Sequence, residues 1–325
     1  MNFIRYAFGT MPHRELVVLL SFLGAVAVVY AASAAILLCG ATRMLLGRPA
    51  PARTKWWRVC RGTLLSLAAI GALCFAYAYF IEPYWPEVCR YTVATAKLPR
   101  GAGPIRIVHI SDTHCDPKVR LEDRLPEIIA DLKPDLILFT GDAANSDQGI
   151  PNFQRLMSRL AAIAPTYAVR GNWDRETSRD FSLYEGTGAT ELIERVQPVT
   201  IRGVPLYLIG MQWGSWMEAP ALQKLPPPGA LTVMMYHSPD IATDISVQAD
   251  LLLVGHTHGG QVALPFYGAL LTLSRQGKRF ERGMYDLGGP RLHVSRGIGM
   301  EGGSVPRVRF FSRPDISLIE LAPRE

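Results

Sequence analysis

Two uncharged apolar segments near the N-terminus constrain this chain more than any other feature of its sequence. Residues 16–38 form a run of 23 residues and residues 63–81 a run of 19, and neither run contains a charged residue or a proline. A helix rises about 1.5 Å per residue, so each run is long enough for a hydrocarbon layer of roughly 30 Å. The sequence therefore predicts a membrane anchor over residues 1–82 with two transmembrane helices.

A cleaved signal peptide is the alternative for the first segment. Arg5 and Arg14 precede it, and Ala32-Ser33-Ala34 resembles a cleavage site. The apolar run is longer than a signal core and continues past that site, which favours a retained helix. The connection between the two segments carries six basic residues and no acidic one, so the positive-inside bias predicts a multi-pass membrane protein with this connection in the cytoplasm and the rest of the chain outside.

The basic excess of the chain belongs to this N-terminal part. The whole sequence has 34 Lys and Arg against 28 Asp and Glu, but residues 1–100 contain 11 of the basic residues and only 3 of the acidic ones. The remaining residues carry 23 basic against 25 acidic side chains, and they lack the positive surface that neutralises nucleic-acid phosphates. The charge distribution therefore argues against nucleic acid as a partner.

After a linker over residues 83–104, which contains four prolines, the pattern becomes that of a globular domain over residues 105–325. Short β-branched runs alternate with amphipathic helical patterns, which is typical of an α/β fold. Strands are predicted at 105–110, 136–139, 166–169, 206–209, 231–235, 251–254, 292–295, 307–311 and 316–321, and helices at 120–132 and 152–163. The last three strands have no helix between them, so we expect mixed sheets.

Seven polar side chains follow the ends of five of these strands. Because the carboxyl ends of strands form the ligand-binding edge of an α/β sheet, we expect them to converge. Two carboxylates, one amide and four imidazoles suit manganese, iron or zinc. If one carboxylate bridges, the set can hold two ions about 3.5 to 4 Å apart. The candidate ligands are Asp112, His114, Asp142, Asn172, His237, His256 and His258.

Each motif alone also has a structural explanation. A Gly-Asp pair is usually a turn, and a single histidine at a strand end is more often structural than catalytic. His256 and His258 are more specific, because two imidazoles in a glycine-flanked loop have little packing purpose. It is the ordered combination of all the motifs that predicts a metal site.

With these motifs, the sequence from about Ile105 to Leu321 resembles the calcineurin-like metallophosphoesterase family. The segments 237–240, 255–261 and 295–299 are similar to its membrane-associated bacterial branch. The resemblance implies an α/β fold built as a four-layer sandwich of two mixed β-sheets flanked by helices, here preceded by the two transmembrane helices. It also implies the bacterial inner membrane as the location.

The resemblance further divides the ligands between two divalent ions. It assigns Asp112, His114, Asp142 and His258 to the first ion, and Asp142, Asn172, His237 and His256 to the second. Manganese is the expected metal, with iron or zinc as alternatives. A hydroxide that bridges the ions would attack phosphorus, and Asp142, Asn172 and His256 would be the catalytic residues of this hydrolase.

One position departs from the family pattern. A histidine that protonates the leaving oxygen usually follows the asparagine, but here Trp173 and then Asp174 follow Asn172. An indole cannot act as a general acid, and His109 and His293 lie inside predicted strands, where a core histidine is the simpler interpretation. A substrate with a good leaving group would remove the need for an acid, and Trp173 and Asp174 would then contact that substrate.

These features predict a membrane-anchored phosphoesterase that hydrolyses a phosphodiester or pyrophosphate bond, in a phosphorylated or lipid-linked small molecule, beside membrane lipid. One alternative is the UDP-2,3-diacylglucosamine pyrophosphate hydrolase of lipid A biosynthesis, although its substrate lies on the cytoplasmic side and the charge bias places the domain outside. The other alternative is a catalytically dead membrane scaffold that retains the fold. The sequence leaves the oligomeric state open.

Overall fold

The computed structural model describes residues 12–49, 51–177, 182–211, 213–214, 226–243, 249–302 and 307–324. It begins with two long helices, α1 (His13–Leu45) and α2 (Lys55–Phe80). The helices contact each other, and the Tyr30 hydroxyl of α1 donates a hydrogen bond to the Ala68 carbonyl of α2 over 3.1 Å. Both helices are long and apolar enough to cross a membrane. The first predicted span lies within α1, and the second, 63–81, extends one residue beyond the end of α2.

The first sheet lies next to the helices in sequence and has six strands. Their order across the sheet is β1-β14-β2-β3-β4-β5, and only the β14–β2 pairing is antiparallel. The strands are β1 (Glu87–Thr95), β2 (Ile105–Ile110), β3 (Leu136–Phe139), β4 (Thr166–Ala168), β5 (Thr190–Glu191) and β14 (Asp315–Pro323).

The second sheet also has six strands, in the order β12-β13-β9-β8-β7-β6. Its two outer pairings are antiparallel and its three inner pairings are parallel. The strands are β6 (Arg195–Ile201), β7 (Val204–Gly210), β8 (Leu231–Met235), β9 (Leu251–Val254), β12 (Gly283–Asp286) and β13 (Arg291–Val294), and β10 (Ala263–Leu264) with β11 (Gly268–Ala269) forms a separate small hairpin.

The core is arranged in layers. Ile107 and Leu138 of the first sheet pack against Leu208 and Leu253 of the second, which places the two sheets face to face. The helices α3 (Leu125–Asp131) and α4 (Ile150–Ala161) cover the other face of the first sheet, and a further short helix, α5 (Asn172–Thr177), follows β4. The predicted fold class, mixed sheets flanked by helices and preceded by two long apolar helices, is confirmed.

Three predicted elements differ from the structure. The linker predicted over 83–104 contains β1, whose alternating exposed and buried side chains suit a strand at the edge of a sheet. The strand predicted over 307–311 is instead a loop with one isolated bridge at Phe310, because Arg309 turns inward and donates to several loop carbonyls. The helix predicted from residue 120 begins only at Leu125.

The two N-terminal helices are joined to the globular domain by polar contacts. The buried carboxylate of Glu15 in α1 accepts from the amide and hydroxyl of Thr272. The carboxylate of Glu82, just after α2, accepts from the backbone amides of Phe311 and Ser312. The two N-terminal helices are therefore packed against the loops that surround the carboxyl end of β9.

Candidate metal centre

The candidate ligands lie together at the carboxyl ends of the central strands. Loops after β2, β3, β8 and β9 carry the Asp and His residues, and Asn172 is the first residue of α5. All six Asp and His side chains are buried. The structure thus brings all seven positions to one edge, as expected from the placement of each one after a strand.

Asp112, His114 and His258 form one group that could hold a metal ion, with ligand atoms that all lie within 4.8 Å of one another. The Nε2 atoms of His114 and His258 are 3.2 Å apart. Nε2 of His258 lies 3.5 Å from Oδ1 of Asp112. Three buried donors therefore converge on one point.

Asp142, His237 and His256 form the second such group. Oδ2 of Asp142 lies 3.2 Å from Nε2 of His237 and also 3.6 Å from Nε2 of His114 in the first group. This carboxylate is therefore placed between the two groups, where a bridging ligand would have to be.

Asn172 adds an amide oxygen that fits a metal. Its Oδ1 atom is buried and has no hydrogen-bond partner among the described residues, and such an atom normally has one. A cation would satisfy it. Together with the buried oxygen and nitrogen donors of both groups, this unpaired oxygen means that the residues present fit two divalent ions.

The backbone at the centre adopts an uncommon conformation. Five of the seven candidate ligands have φ between +40° and +73°, the left-handed region that costs free energy for residues with a Cβ. These five are Asp112, His114, Asp142, His256 and His258. Such conformations persist only where the surrounding structure enforces them, and they cluster at functional sites.

Two glycines enforce this arrangement by their lack of a side chain. A Cβ at Gly171 would collide with Oδ1 of Asp142, and a Cβ at Gly255 would collide with the side chains of Ser111 and Asp112. Neither position has a positive φ. These two glycines are therefore needed for close approach to the candidate ligands and not for a left-handed backbone conformation.

Asp174 has a different role from the predicted substrate contact. Its carboxylate is fully buried and accepts from the backbone amides of Asp142, Ala143 and Gly171 over 2.8 to 2.9 Å. The first turn of α5 points it beneath the loop after β3. Asp174 is therefore a positioning residue for Asp142.

Other buried groups fix the orientation of the imidazoles. His237 Nδ1 lies 2.7 Å from the Thr140 carbonyl oxygen, and His256 Nε2 lies 3.0 Å from that of Leu273. Each carbonyl requires a proton on the nitrogen that it faces. The other nitrogen of each ring, Nε2 of His237 and Nδ1 of His256, is therefore the one that would serve as a ligand. Although burial opposes the charge, Asp142 and Asp112 raise the pKa of His237 to about 10, so a cation at its Nε2 would displace a proton.

The candidate ligands differ in protonation state, because burial and neighbouring charges shift their pKa values by different amounts. Burial lowers the pKa of His114 and of His256 to about 4, and that of His258 well below its usual value, so these imidazoles are neutral at pH 7. Burial raises the pKa of Asp112 to about 7. Burial alone would also raise the pKa of Asp142, but His237 and His114 hold it near 2. Asp142 is the most strongly ionised carboxylate of the set.

Two further residues at the centre were missed from the sequence. The Trp213 ring lies 5.1 Å from the His256 ring and 5.8 Å from the His237 ring, centroid to centroid. Glu301 accepts a hydrogen bond from Nε1 of Trp173 over 3.3 Å. Neither belongs to a motif, and the only signal for Glu301 is an acidic residue in a glycine-rich loop after a strand.

Burial raises the pKa of Glu301 to about 7, and Asp142 adds to the shift. Trp173 itself packs edge-on against His114, with ring centroids 5.6 Å apart. The two histidines interpreted as core residues, His109 and His293, are indeed buried and lie 2.8 Å apart through their Nδ1 atoms.

Comparisons with known proteins agree with this geometry. Residues 105–260 match the model of the calcineurin-like phosphoesterase family. The chain is 32% identical over 284 residues to the metallophosphoesterase YkuE of Bacillus subtilis, which covers 80% of this chain and 95% of that protein. It is 29% identical over 260 residues to the phosphodiesterase YaeI of Escherichia coli, covering 76% and 92% of the two chains.

A more distant relative carries a more specific name. The UDP-2,3-diacylglucosamine pyrophosphatase LpxG of Chlamydia muridarum is 24% identical to this chain over 326 residues, with 79% of this chain and 97% of that protein covered. The matched regions of all three relatives are longer than the 156 residues that the family model covers.

Proposed function

The chain belongs to the calcineurin-like phosphoesterase family, and from this premise we propose that it is a membrane-anchored enzyme that hydrolyses a phosphodiester or pyrophosphate bond in a lipid-linked substrate. The observation that carries this proposal is the pair of adjacent ligand groups with the Asp142 carboxylate between them. Such a pair is the arrangement used for two-ion hydrolysis of phosphate esters.

The residues divide between two divalent ions as follows. Asp112, His114, Asp142 and His258 would hold the first, and Asp142, Asn172, His237 and His256 the second. Manganese fits this oxygen and nitrogen set, as do iron and zinc. When bound, the ions supply Lewis acidity at the phosphoryl oxygens and a nucleophile at neutral pH.

The chain's own residues place and protonate the substrate. The backbone amide of Trp173 donates to Oδ1 of Asp142 over 2.9 Å, which keeps that carboxylate in its position between the two groups. The Trp173 ring lines the centre beside His114 and would contact the leaving group. The catalytic residues of the proposal are Asp142, Asn172 and His256.

Glu301 is the proton donor of this proposal. It accepts a hydrogen bond from Trp173, the side chain at the position of the family's usual histidine, and from there it would protonate the departing oxygen. Burial, with Asp142, raises the pKa of Glu301 to about 7, which favours the protonated form that a general acid needs. The chain thus has an acid of its own, and a very good leaving group is not required.

The lipid-linked substrate is supported by two observations. The domain is joined to two helices that are apolar enough for a membrane, and one relative is named as a pyrophosphatase of a diacylglucosamine nucleotide. The narrower candidate function is therefore hydrolysis of the pyrophosphate bond of UDP-2,3-diacylglucosamine, a precursor of lipid A. A catalytically dead scaffold is disfavoured because all seven ligand positions are filled by donors that converge.

The proposed cellular location rests on the two N-terminal apolar helices. We propose a multi-pass protein of the bacterial inner membrane, with the domain outside according to the charge bias of the connection between the helices. A tag after Glu325 that is labelled from outside intact cells would support this orientation. Labelling only after lysis would place the domain in the cytoplasm, where nucleotide-linked lipid precursors are made.

The test uses the full chain in detergent, with metal content and hydrolysis of an aryl phosphodiester measured on the same sample. We expect about two ions per chain and activity in manganese that a chelator abolishes. His256→Ala should reduce the ions to about one per chain and the activity by on the order of 10³-fold or more. His13→Ala, at the exposed start of α1, is the matched control and should change neither.

Two outcomes would contradict the proposal. Full metal content in His256→Ala would remove this residue from the centre. Two ions per chain without turnover of any phosphodiester, pyrophosphate or monoester would favour the scaffold instead.

A further inference from the structure

A groove of about 680 Å³ lies where α2 meets the globular domain. Its apolar lining, which we call its apolar end, includes Cys74 and Tyr77 of α2 and Phe310 from the loop before β14. Its charged lining, which we call its polar part, consists of the carboxylates of Glu82 and Glu87 and the guanidinium groups of Arg282, Arg296 and Arg313. We call the whole groove the interfacial groove. It is separate from the candidate ligands, none of which lines it.

The apolar end of the interfacial groove lies within a candidate membrane span. Cys74 is six residues before the end of α2 at Phe80, or about 9 Å along a helix axis. Beyond that end, Tyr84 and Trp85 are exposed, and these residue types favour the boundary between hydrocarbon and water. The groove therefore runs from hydrocarbon depth to the level of lipid headgroups.

Two guanidinium groups of the groove, those of Arg282 and Arg313, have no carboxylate within ion-pair distance among the described residues, although Glu87 lies near enough for both to lower its pKa, as Arg296 also does, against the opposing effect of burial. Arg296 forms an ion pair with Glu87 over 2.8 Å, and both oxygens of Glu82 accept from backbone amides. Arg282 donates to the Phe311 carbonyl, and Arg313 donates to those of Trp85 and Pro86. Neither Arg282 nor Arg313 has a carboxylate in ion-pair contact among the described residues.

Carbonyl oxygens orient a guanidinium group but do not neutralise its charge. Each guanidinium has five N–H donors, and the contacts above use one side-chain nitrogen of Arg282 and two of Arg313. The remaining N–H donors of each guanidinium group lie in one plane, and this geometry suits a phosphate. A molecule that matches both parts of the groove has an anionic phosphate head and apolar chains.

We propose that the interfacial groove binds the phosphate group of an anionic membrane phospholipid at Arg282 and Arg313, with acyl chain lying along Tyr77 and Phe310. This inference rests on the membrane attachment proposed above and not on the hydrolytic reaction. The bound lipid would be a resident ligand rather than a substrate, because the groove is lined by none of the candidate ligands.

The groove adjoins the metal centre through its lining loops. A Cβ at Gly259, next to His258, would contact the side chains of Arg282 and Arg296. The Ser312 hydroxyl donates to the His258 carbonyl over 2.7 Å, and the Ser312 amide donates to Glu82. A lipid in the groove would therefore order the same loop that holds His258, so we expect it to raise activity as well.

The experiment measures which lipid remains bound to the full chain. The protein is reconstituted in vesicles of phosphatidylglycerol and phosphatidylcholine in equal amounts and extracted, and the lipid that is retained is counted by native mass spectrometry. Two arginines near a membrane surface predict a preference for phosphatidylglycerol on the order of tenfold or more. Arg282→Gln with Arg313→Gln should remove this preference. Arg155→Gln with Arg291→Gln, two exposed arginines on other elements, is the matched control and should retain it.

A second variant guards against misfolding of the arginine variant. Cys74→Trp fills the apolar end without touching the arginines, and it should also lower phosphatidylglycerol retention. Equal retention of both lipids by the unmodified chain would overturn the proposal, as would a preference that survives in both variants. Displacement of phosphatidylglycerol by millimolar inorganic phosphate would show that the groove binds free phosphate and not lipid.

Hydrolysis of a soluble aryl phosphodiester is measured in parallel, so that the two proposals fail separately. An active enzyme without lipid preference refutes only the groove. A lipid preference without turnover refutes only the hydrolase.

Discussion

Glycine has opposite roles in the metal centre and in the two N-terminal helices. At Gly171 a side chain would collide with Asp142. At Gly62 of α2, as at Gly24 and Gly40 of α1, a Cβ would meet nothing within 4 Å. Gly71 of α2 is the exception, since a Cβ there would lie 2.6 Å from the Tyr30 hydroxyl of α1. Close contacts therefore constrain the glycines named in the metal centre, but only one of these four glycines in the helices. The same substitution should therefore have very different effects in the two regions.

Gly171→Ala should have the largest effect. The new methyl group would displace the carboxylate that lies between the two ligand groups, and we expect metal binding to weaken by about 10- to 100-fold and activity to fall by at least about 100-fold. Metal content and turnover are measured with far-UV circular dichroism as a check on the helices. A variant with two ions per chain and full turnover would show that the centre tolerates more than its close contacts suggest.

Glu301→Gln should reveal the proton donor. The amide keeps the size and one acceptor oxygen but holds no acidic proton, so the rate should fall by about 100-fold with an alkyl leaving group and much less with a nitrophenyl group. The carboxyl of Glu301, with a pKa near 7, is protonated below that pH. The unmodified enzyme should therefore lose activity as the pH rises above 7.

The variant should lack this alkaline limb of the pH profile. An unchanged profile, with an equal loss for both leaving groups, would make Glu301 a residue that positions Trp173 and would return the question to the substrate's leaving group.

Glu82→Gln tests the junction between the two regions. An amide can accept from only one of the two backbone amides that the carboxylate now satisfies, and loss of a charged hydrogen bond costs about 1.5 to 3 kcal/mol of unfolding free energy. Denaturant unfolding in detergent measures this change. Glu185→Gln, at an exposed position, is the control and should stay within about 0.5 kcal/mol. Equal stability of both variants would mean that the anchor and the domain are coupled elsewhere.

Gly62→Ala should have the smallest effect on function and should slightly stabilise the protein. Alanine in a helix interior is favoured over glycine by about 0.5 to 1 kcal/mol, and the added methyl group contacts nothing. Turnover should be unchanged, and the melting temperature should rise slightly. A loss of activity in Gly62→Ala would mean that this face of α2 contacts a partner or a substrate during turnover.

The parts of the fold that the sequence predicts well are those with a local signal. The strands at 105–110, 136–139, 231–235 and 251–254 have the predicted bounds, because each is a short apolar run buried on both faces. β1 was missed because it is a half-exposed edge strand. Its pairing with β14, more than 200 residues away in sequence, leaves no trace in the local pattern.

The candidate site follows the same rule. The convergence of the seven candidate ligands could be predicted because each lies just after a strand, and strand ends meet at one edge. Glu301 lies 128 residues from Trp173 in sequence, and only the fold brings the two side chains together. Asp174 was placed in the site because it is close to Asn172 in sequence, but the direction of a helical turn decides where such a side chain points.

The position of β14 in the first sheet has a consequence for biosynthesis. This strand lies between β1 and β2, although every other strand precedes it in the sequence. The ribosome therefore releases the strand that unites the sheet after all the others, when both long helices have long left the exit tunnel. At about 5 to 20 residues per second, about 11 to 46 seconds separate the synthesis of Glu87 in β1 from that of its partner Asp315 in β14. During this interval the unpaired edges of β1 and β2 are where a chaperone would be needed.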